Sequence, residues 1–377
     1  MIYEDFASLI SELCSRSPLA AGRPLVWTII ANPKAGGFTI KSRWKKHYAK
    51  LLDCAHKARN NPLRQGGPSK TALGEGGASG NTGLILTKAA GDAADLTGEL
   101  LREASAALAS LPSGGEGDHA GRPFYLVISA GGDGTSLEIM TSLFYAPAEL
   151  RDDFAILRLP MGTGNDGADA WELDKALELI MERAEVQKQR ALRLRTASGK
   201  GPFLAFNILS VGLDAFVTHM TNKMKGKLPG DSYKLWVDVA SLLYDRLYKV
   251  DYIKVTARDG EQKEVKAFEE KLLLLAVGES GRRSYGSHQW ILPDERNVCA
   301  IKQMPLIRKL ALKGSLSYGT HVDKSEAMLW NAHSVEIAAR HPMLAQMDGE
   351  AVLLDKDDYP AVIELTDPAI PVLKLRS

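Results

Sequence analysis

In the first half of this chain, apolar runs end in glycine turns. Residues 26–31, 124–128 and 154–159 are apolar almost without interruption, as strands buried on both faces of a sheet are. Each run empties into a polar turn: Asn32-Pro33-Lys34-Ala35-Gly36-Gly37, Ser129-Ala130-Gly131-Gly132-Asp133-Gly134-Thr135, and Pro160-Met161-Gly162-Thr163-Gly164-Asn165-Asp166. A shorter strand is expected at 82–86. Helical spacing is read over 2–14 (Tyr3, Phe6, Leu9, Ile10, Leu13), 41–54, 92–110, 135–145 and 174–184. Strands alternating with helices imply a parallel, doubly wound α/β sheet, whose ligands lie beyond the carboxyl ends of the strands. The helix at 2–14 is expected to dock either on the body of the protein or on a membrane.

After Val186 the period changes. Short strand-like runs at 190–196, 203–211, 249–257, 263–268, 271–277, 327–331, 334–340, 343–347 and 360–365 are separated by polar turns, and a helix is expected at 231–248. This half is expected to be an antiparallel β-sandwich. The expected division is a helical extension at 1–21, an α/β domain at 22–186, a β-sandwich domain at 187–366, and residues 367–377 returning to the first domain. Residues 59–80 and 112–122 are rich in Gly and polar residues and read as loops.

Composition narrows the class. The chain has 377 residues, 45% hydrophobic and 25% charged, with a net charge of +1, so no broad basic field argues for nucleic acid. The longest uncharged apolar stretch, 272–278, is too short to span a bilayer, and the acidic N-terminus does not read as a signal peptide. Cys14, Cys54 and Cys299 lack metal-ligand spacing and read as free thiols of a cytoplasmic protein.

The glycine turns carry the candidate chemistry. A glycine turn between a strand and a helix points backbone N–H groups and the positive end of the helix at an anion. Gly131, Gly132, Gly134 and Thr135, with Gly162, Thr163, Gly164 and Asn165, form the expected phosphate cradle. Asp133 and Asp166 stand inside those turns. Phosphates would repel them unless a cation intervened, which favours Mg²⁺. A helix N-cap is the plainer reading of Asp166.

The ordered set NPKAGG, GGDGT and PMGTGND, with Met347-Asp348-Gly349-Glu350 near the C-terminus, resembles the diacylglycerol kinase catalytic-domain family, which includes sphingosine kinases and bacterial lipid kinases. The likeness runs over roughly residues 24–377. GGDGT alone is shared with NAD kinases, the runner-up reading; a catalytically inactive nucleotide- or lipid-binding module is a third. The resemblance implies an ATP- and Mg²⁺-dependent transfer of the γ-phosphate to a lipid hydroxyl, diacylglycerol or a related lipid. Asn32 and Thr87 would line the nucleotide pocket, Glu138 would help orient the nucleotide, and Glu350 would support the site or touch the nucleotide. Asp348 would be the general base, with Asp133 as the alternative base, and Asp133 and Asp166 would face the metal. The implied partners are ATP and a lipid met at a membrane surface by transient peripheral contact, with a homodimer possible. Lys223, Lys225, Lys227, Arg282 and Arg283 are candidate contacts for anionic headgroups or ATP phosphates. Some bacterial members carry a structural Mg²⁺ site in the segment corresponding to 292–300. Here Asn297 stands where an Asp is expected, beside Arg296, so Arg296 or a hydrogen-bonded network is expected to tie that loop instead.

Overall fold

The computed structural model describes residues 2–20, 22–60, 69–71, 82–110, 121–162, 164–224, 244, 250–285 and 289–376. The chain divides into two compact units, Met1–Gln189 with Pro368–Ser377, and Arg190–Asp367.

The first unit contains α1 (Ile2–Ser15), β1 (Leu25–Ala31), α2 (Gly36–Thr39), α3 (Lys41–Arg59), β2 (Ser69–Thr71), β3 (Leu84–Leu86), α4 (Asp92–Ala109), β4 (Phe124–Ala130), α5 (Asp133–Tyr145), α6 (Ala148–Arg151), β5 (Phe154–Arg158), α7 (Leu173–Met181) and β6 (Ala184–Gln189). Its sheet runs β2-β1-β4-β5, then the chain's last strand (Ile370–Leu375), then β6, with β3 also on β1. The pairings are parallel except that of the last strand with β6. Every residue of β1 is buried, and its alternation explains why. Leu25, Trp27, Ile29 and Ala31 join one core with α1, α3 and α7, while Val26 and Ile30 point to the other face. α1 docks on the body: Phe6, Ile10 and Leu13 lie in that core, and the Phe6 and Phe38 rings meet edge-on at 5.1 Å. The strand at 69–71 falls inside a stretch read as loop. It joins β1 by backbone pairing alone, which leaves no hydrophobic pattern in Ser69-Lys70-Thr71.

The second unit contains β7 (Leu192–Arg195), β8 (Phe203–Ala205), β9 (Ile208–Gly212), α8 (Leu213–Met224), β10 (Tyr252–Arg258), β11 (Glu264–Gly278), β12 (Arg283–Tyr285), β13 (Gln289–Leu292), β14 (Val298–Lys302), α9 (Leu306–Tyr318), β15 (Ala327–Trp330), β16 (Ser334–Ala339), β17 (Met343–Met347), β18 (Glu350–Leu354) and β19 (Ala361–Leu365); the last strand of the chain is β20. An antiparallel sheet of 11 strands dominates. The two runs expected at 263–268 and 271–277 are one strand of 15 residues, β11. Its first half is exposed and pairs with β10; its second half is buried and pairs with β9 and β14. One strand thus serves both layers, and the core between them is filled by Val255, Leu275, Val277, Val335, Ala345 and Ile363. The expected helix at 231–248, Lys225, Lys227, Gly286 and most of the two Gly-rich loops lie outside the described residues. Among the described residues, no helix is long and apolar enough to cross a membrane.

Candidate active site

In the first unit the strand register brings the candidate residues to one edge. Ala31 pairs with both Leu86 and Ala130, and Ser129 pairs with Arg158. Asn32, Thr87, Gly131 and Leu159 therefore leave the sheet side by side at its carboxyl end. Backbone bonds fix them there: Asn32 N–H donates to the Ala130 carbonyl at 3.1 Å, Thr87 N–H to Ala31 at 2.9 Å and Leu159 N–H to Ser129 at 2.9 Å. The Asn32 Oδ1 accepts the Lys34 N–H at 2.9 Å, the side-chain turn that suits Asn at this position.

The glycines are required by contact. A Cβ on Gly162 would lie 2.7 Å from the Gly132 Cα and 3.0 Å from the Asn165 Oδ1. On Gly131 it would lie 2.4 Å from the Thr135 Oγ1, and on Gly37 it would lie 2.9 Å from the Met161 carbonyl. The turns after β1, β4 and β5 thus touch through backbone, and Asn165 turns the chain with a left-handed φ of 62°. α5 begins at Asp133, so Asp133, Gly134 and Thr135 form its first turn, where N–H groups have no partner within the helix. Thr163 lies outside the described residues.

Gly164 faces both carboxylates: a Cβ there would meet the Asp133 Oδ2 at 3.0 Å and the Asp166 Oδ2 at 3.4 Å. Asp133 Oδ1 accepts the Gly167 N–H at 2.9 Å. Burial pushes the Asp133 carboxyl up from its ordinary range, while the N–H groups of Gly167, Asp166 and Asn165 and the Arg158 cation pull it down. No described helix starts at Asp166; the next, α7, starts at Leu173 after Glu172. Two hard carboxylates facing a space too tight for a Cβ are a donor set that fits Mg²⁺, which is held by one or two carboxylates plus phosphate oxygens and water. Among the described residues, no group of three or more His, Cys, Asp or Glu side chains could hold a metal by itself.

Glu138 has a definite structural task. Its two carboxylate oxygens accept the N–H groups of Gly91 at 2.8 Å and Ala93 at 3.1 Å, holding the start of α4 and the turn that follows Thr87. Three further features carried no motif. Arg158 and Asp169 form a pair whose side chains are 6% and 1% exposed, with the Arg158 Nη2 2.6 Å and Nε 3.1 Å from the Asp169 Oδ1. This pair clamps the loop after β5 back onto the strand. Arg43, on α3, donates to the Gly162 carbonyl at 3.4 Å. Beside it His47 is pushed down to about 4 by burial and by the Lys50, Lys46 and Arg43 cations, so this stretch of α3 is a positive field carried by lysine and arginine.

In the second unit Asp348 and Gly349 form the two-residue turn between β17 and β18, with Met347 paired to Glu350. Both have positive φ, 46° and 96°, the signature of a type I′ hairpin turn. An Asp-Gly turn is therefore part of the answer, but its carboxylate does more than turn. Asp348 is 7% exposed. Its Oδ1 accepts the N–H groups of Ile208 at 3.0 Å and Asn207 at 3.1 Å, and its Oδ2 accepts that of Phe206 at 2.5 Å. Three backbone donors fix the orientation of a carboxylate carried on strained backbone, a combination concentrated at functional sites. Glu350 is exposed at the start of β18. Behind the turn, Gln346 accepts the Gly349 N–H at 3.1 Å and donates to the Ser210 Oγ at 3.0 Å and to Asp214 at 3.2 Å; the Ser210 hydroxyl donates to Asp214 at 2.6 Å. Burial pushes Asp214 up to about 6, opposed by the hydrogen bonds from Ser210 and Gln346.

The loop at 292–300 is tied by an arginine. Arg296 donates to both oxygens of Asp294 through Nε at 3.0 Å, and its backbone N–H adds a bond at 2.9 Å. Asn297 donates to the Ala332 carbonyl at 2.9 Å and accepts the Ala332 N–H at 3.0 Å. The Asp294 oxygens are occupied by a cation of the chain itself, so these residues do not fit a structural Mg²⁺ site. Arg282 pairs with Glu295 at 2.6 Å and Arg283 pairs with Glu279; Lys223 is exposed on α8.

Residues 26–196 match the family described as Diacylglycerol kinase catalytic domain. Among curated sequences, a protein named Probable lipid kinase YegS-like from Enterobacter sp. (strain 638) is 29% identical over 227 residues, 59% of this chain and 71% of that protein. A protein of the same name from Yersinia pestis (strain Pestoides F) is 27% identical over 231 residues, again 59% and 71%. Among solved structures, one described as a candidate diacylglycerol kinase from Bacillus anthracis str. Sterne aligns with a TM-score of 0.54 at 18% identity, covering 93% of this chain and 94% of that one. A second structure with that description and source gives 0.50 at 17%, covering 93% and 96%. At such identities the structures establish a shared fold. The sequence match covers residues 26–196, less than half of the chain, and over that stretch the chain is similar to the diacylglycerol kinase catalytic domain.

Proposed function

We propose that this protein is a kinase that transfers the γ-phosphate of ATP to the hydroxyl of a lipid, diacylglycerol or a relative. The observation that carries the reading is the meeting of Gly132 and Gly162 at the carboxyl end of the sheet, with the carboxylates of Asp133 and Asp166 both facing Gly164. Phosphoryl transfer asks a protein mainly for positioning and charge stabilisation. In this reading the N–H groups of the Gly131–Gly132 turn and the first turn of α5 bind phosphate oxygens, and Asn32 and Thr87 flank the nucleotide. Glu138 acts by holding the turn that bears Thr87. Asp133 and Asp166 would hold Mg²⁺, which when bound neutralises charge on the phosphates. Asp348 takes the proton of the attacking hydroxyl, and its three backbone donors keep it in one orientation. Asp133 is the second candidate for that role, its carboxyl pushed up from the ordinary range by burial. Three buried free cysteines and the lack of a membrane-crossing helix among the described residues support a cytoplasmic enzyme that meets its lipid by peripheral contact.

The test is labelled ATP with Mg²⁺ and a total lipid extract. A labelled lipid product is expected, together with thermal stabilisation by ATP-Mg²⁺ and none by NAD. Stabilisation by NAD with label on the dinucleotide would replace this reading with the NAD kinase one.

A further inference from the structure

α9 presents the wrong face to water. Ile307, Ala311, Gly314 and Tyr318 fall on one stripe by helical spacing, and all four are exposed. Ile307 is 81% and Tyr318 84% exposed, and the adjoining Leu306 is 46% exposed. The opposite stripe is turned inward and includes a cation: Lys309, Leu312 and Ser315 are buried. Leu312 and Leu316 on that side pack against the core, so the exposed apolar stripe is surplus to what the body needs.

The charges around the stripe identify what it meets. From Asn297 to Val322 the chain has Lys302, Arg308, Lys309 and Lys313 and no acid. Arg308 follows the stripe on one flank, its side chain 66% exposed and paired with Glu326, and position 313 falls on the other flank. Exposed apolar side chains beside a cation are the composition of an interfacial helix, which sinks its apolar stripe below the headgroups while the cation stays at the phosphates. A second copy of this chain is a poorer occupant, because a two-fold contact through this stripe would bring Arg308 toward its own copy.

We propose that the Leu306–Tyr318 helix is the surface by which this protein docks on an anionic lipid bilayer. The choice of occupant rests on the lipid-kinase reading, and it adds to that reading the element that makes contact. The experiment is co-sedimentation with vesicles of phosphatidylcholine alone and of phosphatidylcholine mixed with phosphatidylglycerol. The wild-type chain is compared with Ile307→Glu, Tyr318→Ser and the pair. Both side-chain changes are at exposed positions, and a melting curve shows that each of the three variants is folded. The wild type is expected to sediment with the anionic vesicles, less so as salt is raised, and each variant to bind roughly tenfold more weakly. Equal binding by wild type and variants, or no binding by the wild type, overturns the proposal. So does a dimer of the wild type that Ile307→Glu dissolves, which would make the stripe a self-contact. Phosphorylation of lipid dispersed in detergent is measured in parallel and is expected to be unchanged in the variants. Vesicle binding lost in the variants while no form phosphorylates any lipid would leave the docking surface standing and remove the kinase.

Discussion

Gly132 and Gly162 meet through bare backbone: a side chain on Gly162 would begin 2.7 Å from the Gly132 Cα. The reverse is not true. A Cβ on Gly132 would sit 3.7 Å from the Gly162 Cα, an ordinary contact. The two glycines therefore separate packing from ligand approach. Gly162→Ala is expected to push the turns apart, lowering the melting temperature as well as nucleotide affinity. Gly132→Val is expected to keep the fold and abolish ATP-Mg²⁺ binding, because its side chain fills the space a phosphate would use. Isothermal titration with ATP-Mg²⁺ beside a melting curve reads both. Unchanged affinity in folded variants at positions 132 and 164 would mean that nucleotide binds elsewhere.

Asp348→Asn keeps the shape of the carboxylate but turns one acceptor into an amide donor facing the backbone N–H groups of Phe206, Asn207 and Ile208. Turnover is expected to fall by ~10²–10⁴, with ATP affinity kept and stability lowered by about 1–3 kcal/mol. Steady-state kinetics with a denaturation curve separate the two effects. Should this variant keep turning over while Asp133→Asn loses turnover and still binds nucleotide, the base is Asp133.

The Arg158–Asp169 pair is nearly sealed from water, so removing one partner strands the other. Asp169→Ala is expected to cost about 3–5 kcal/mol in urea unfolding. Replacing both by an apolar pair, Arg158→Met with Asp169→Leu, is expected to recover much of that. Equal losses in the single and double variants would show that the pair matters for the loop conformation and not for its charges.

Asp214 predicts a pH dependence. Its folded value, about 6, lies above the ordinary 3.8, so between those values the folded state holds a proton that the unfolded state has lost. Stability therefore falls as pH rises from about 4 to about 6, by about 3 kcal/mol when complete. Asp214→Asn is expected to flatten this part of the stability–pH curve. A wild-type curve with no decline across that window would show that Asp214 is already ionised in the folded protein.

Much of this could be read from the residues, for a physical reason. A glycine turn after an apolar run is local, so the strands, the turns and their order follow from neighbours in sequence. The fold class of both units was legible in the same way, from the change of period after Val186. What escaped depends on distant partners. β11 looked like two strands because its exposed half, with Glu269, Glu270 and Lys271, and its buried half, from Leu272 on, have different neighbours. The roles of Glu138 and of Arg158 with Asp169 are set by contacts 11 to 47 residues away. α9 escaped because its apolar positions serve two opposite faces, which blurs the helical period.

β20 pairs with β5 and β6, so the first unit is closed by the last residues of the chain. The whole of Arg190–Asp367 is inserted between two neighbouring strands of one sheet, β6 and β20. A chain emerging from the ribosome at ~5–20 residues per second must therefore hold this sheet open until the second unit and β20 have been made. Loss of β20 would leave β5 and β6 without the strand that joins them. Folding of the first unit is thus coupled by topology to synthesis of the second, because the sheet begun by β1 is completed only by a strand made after it.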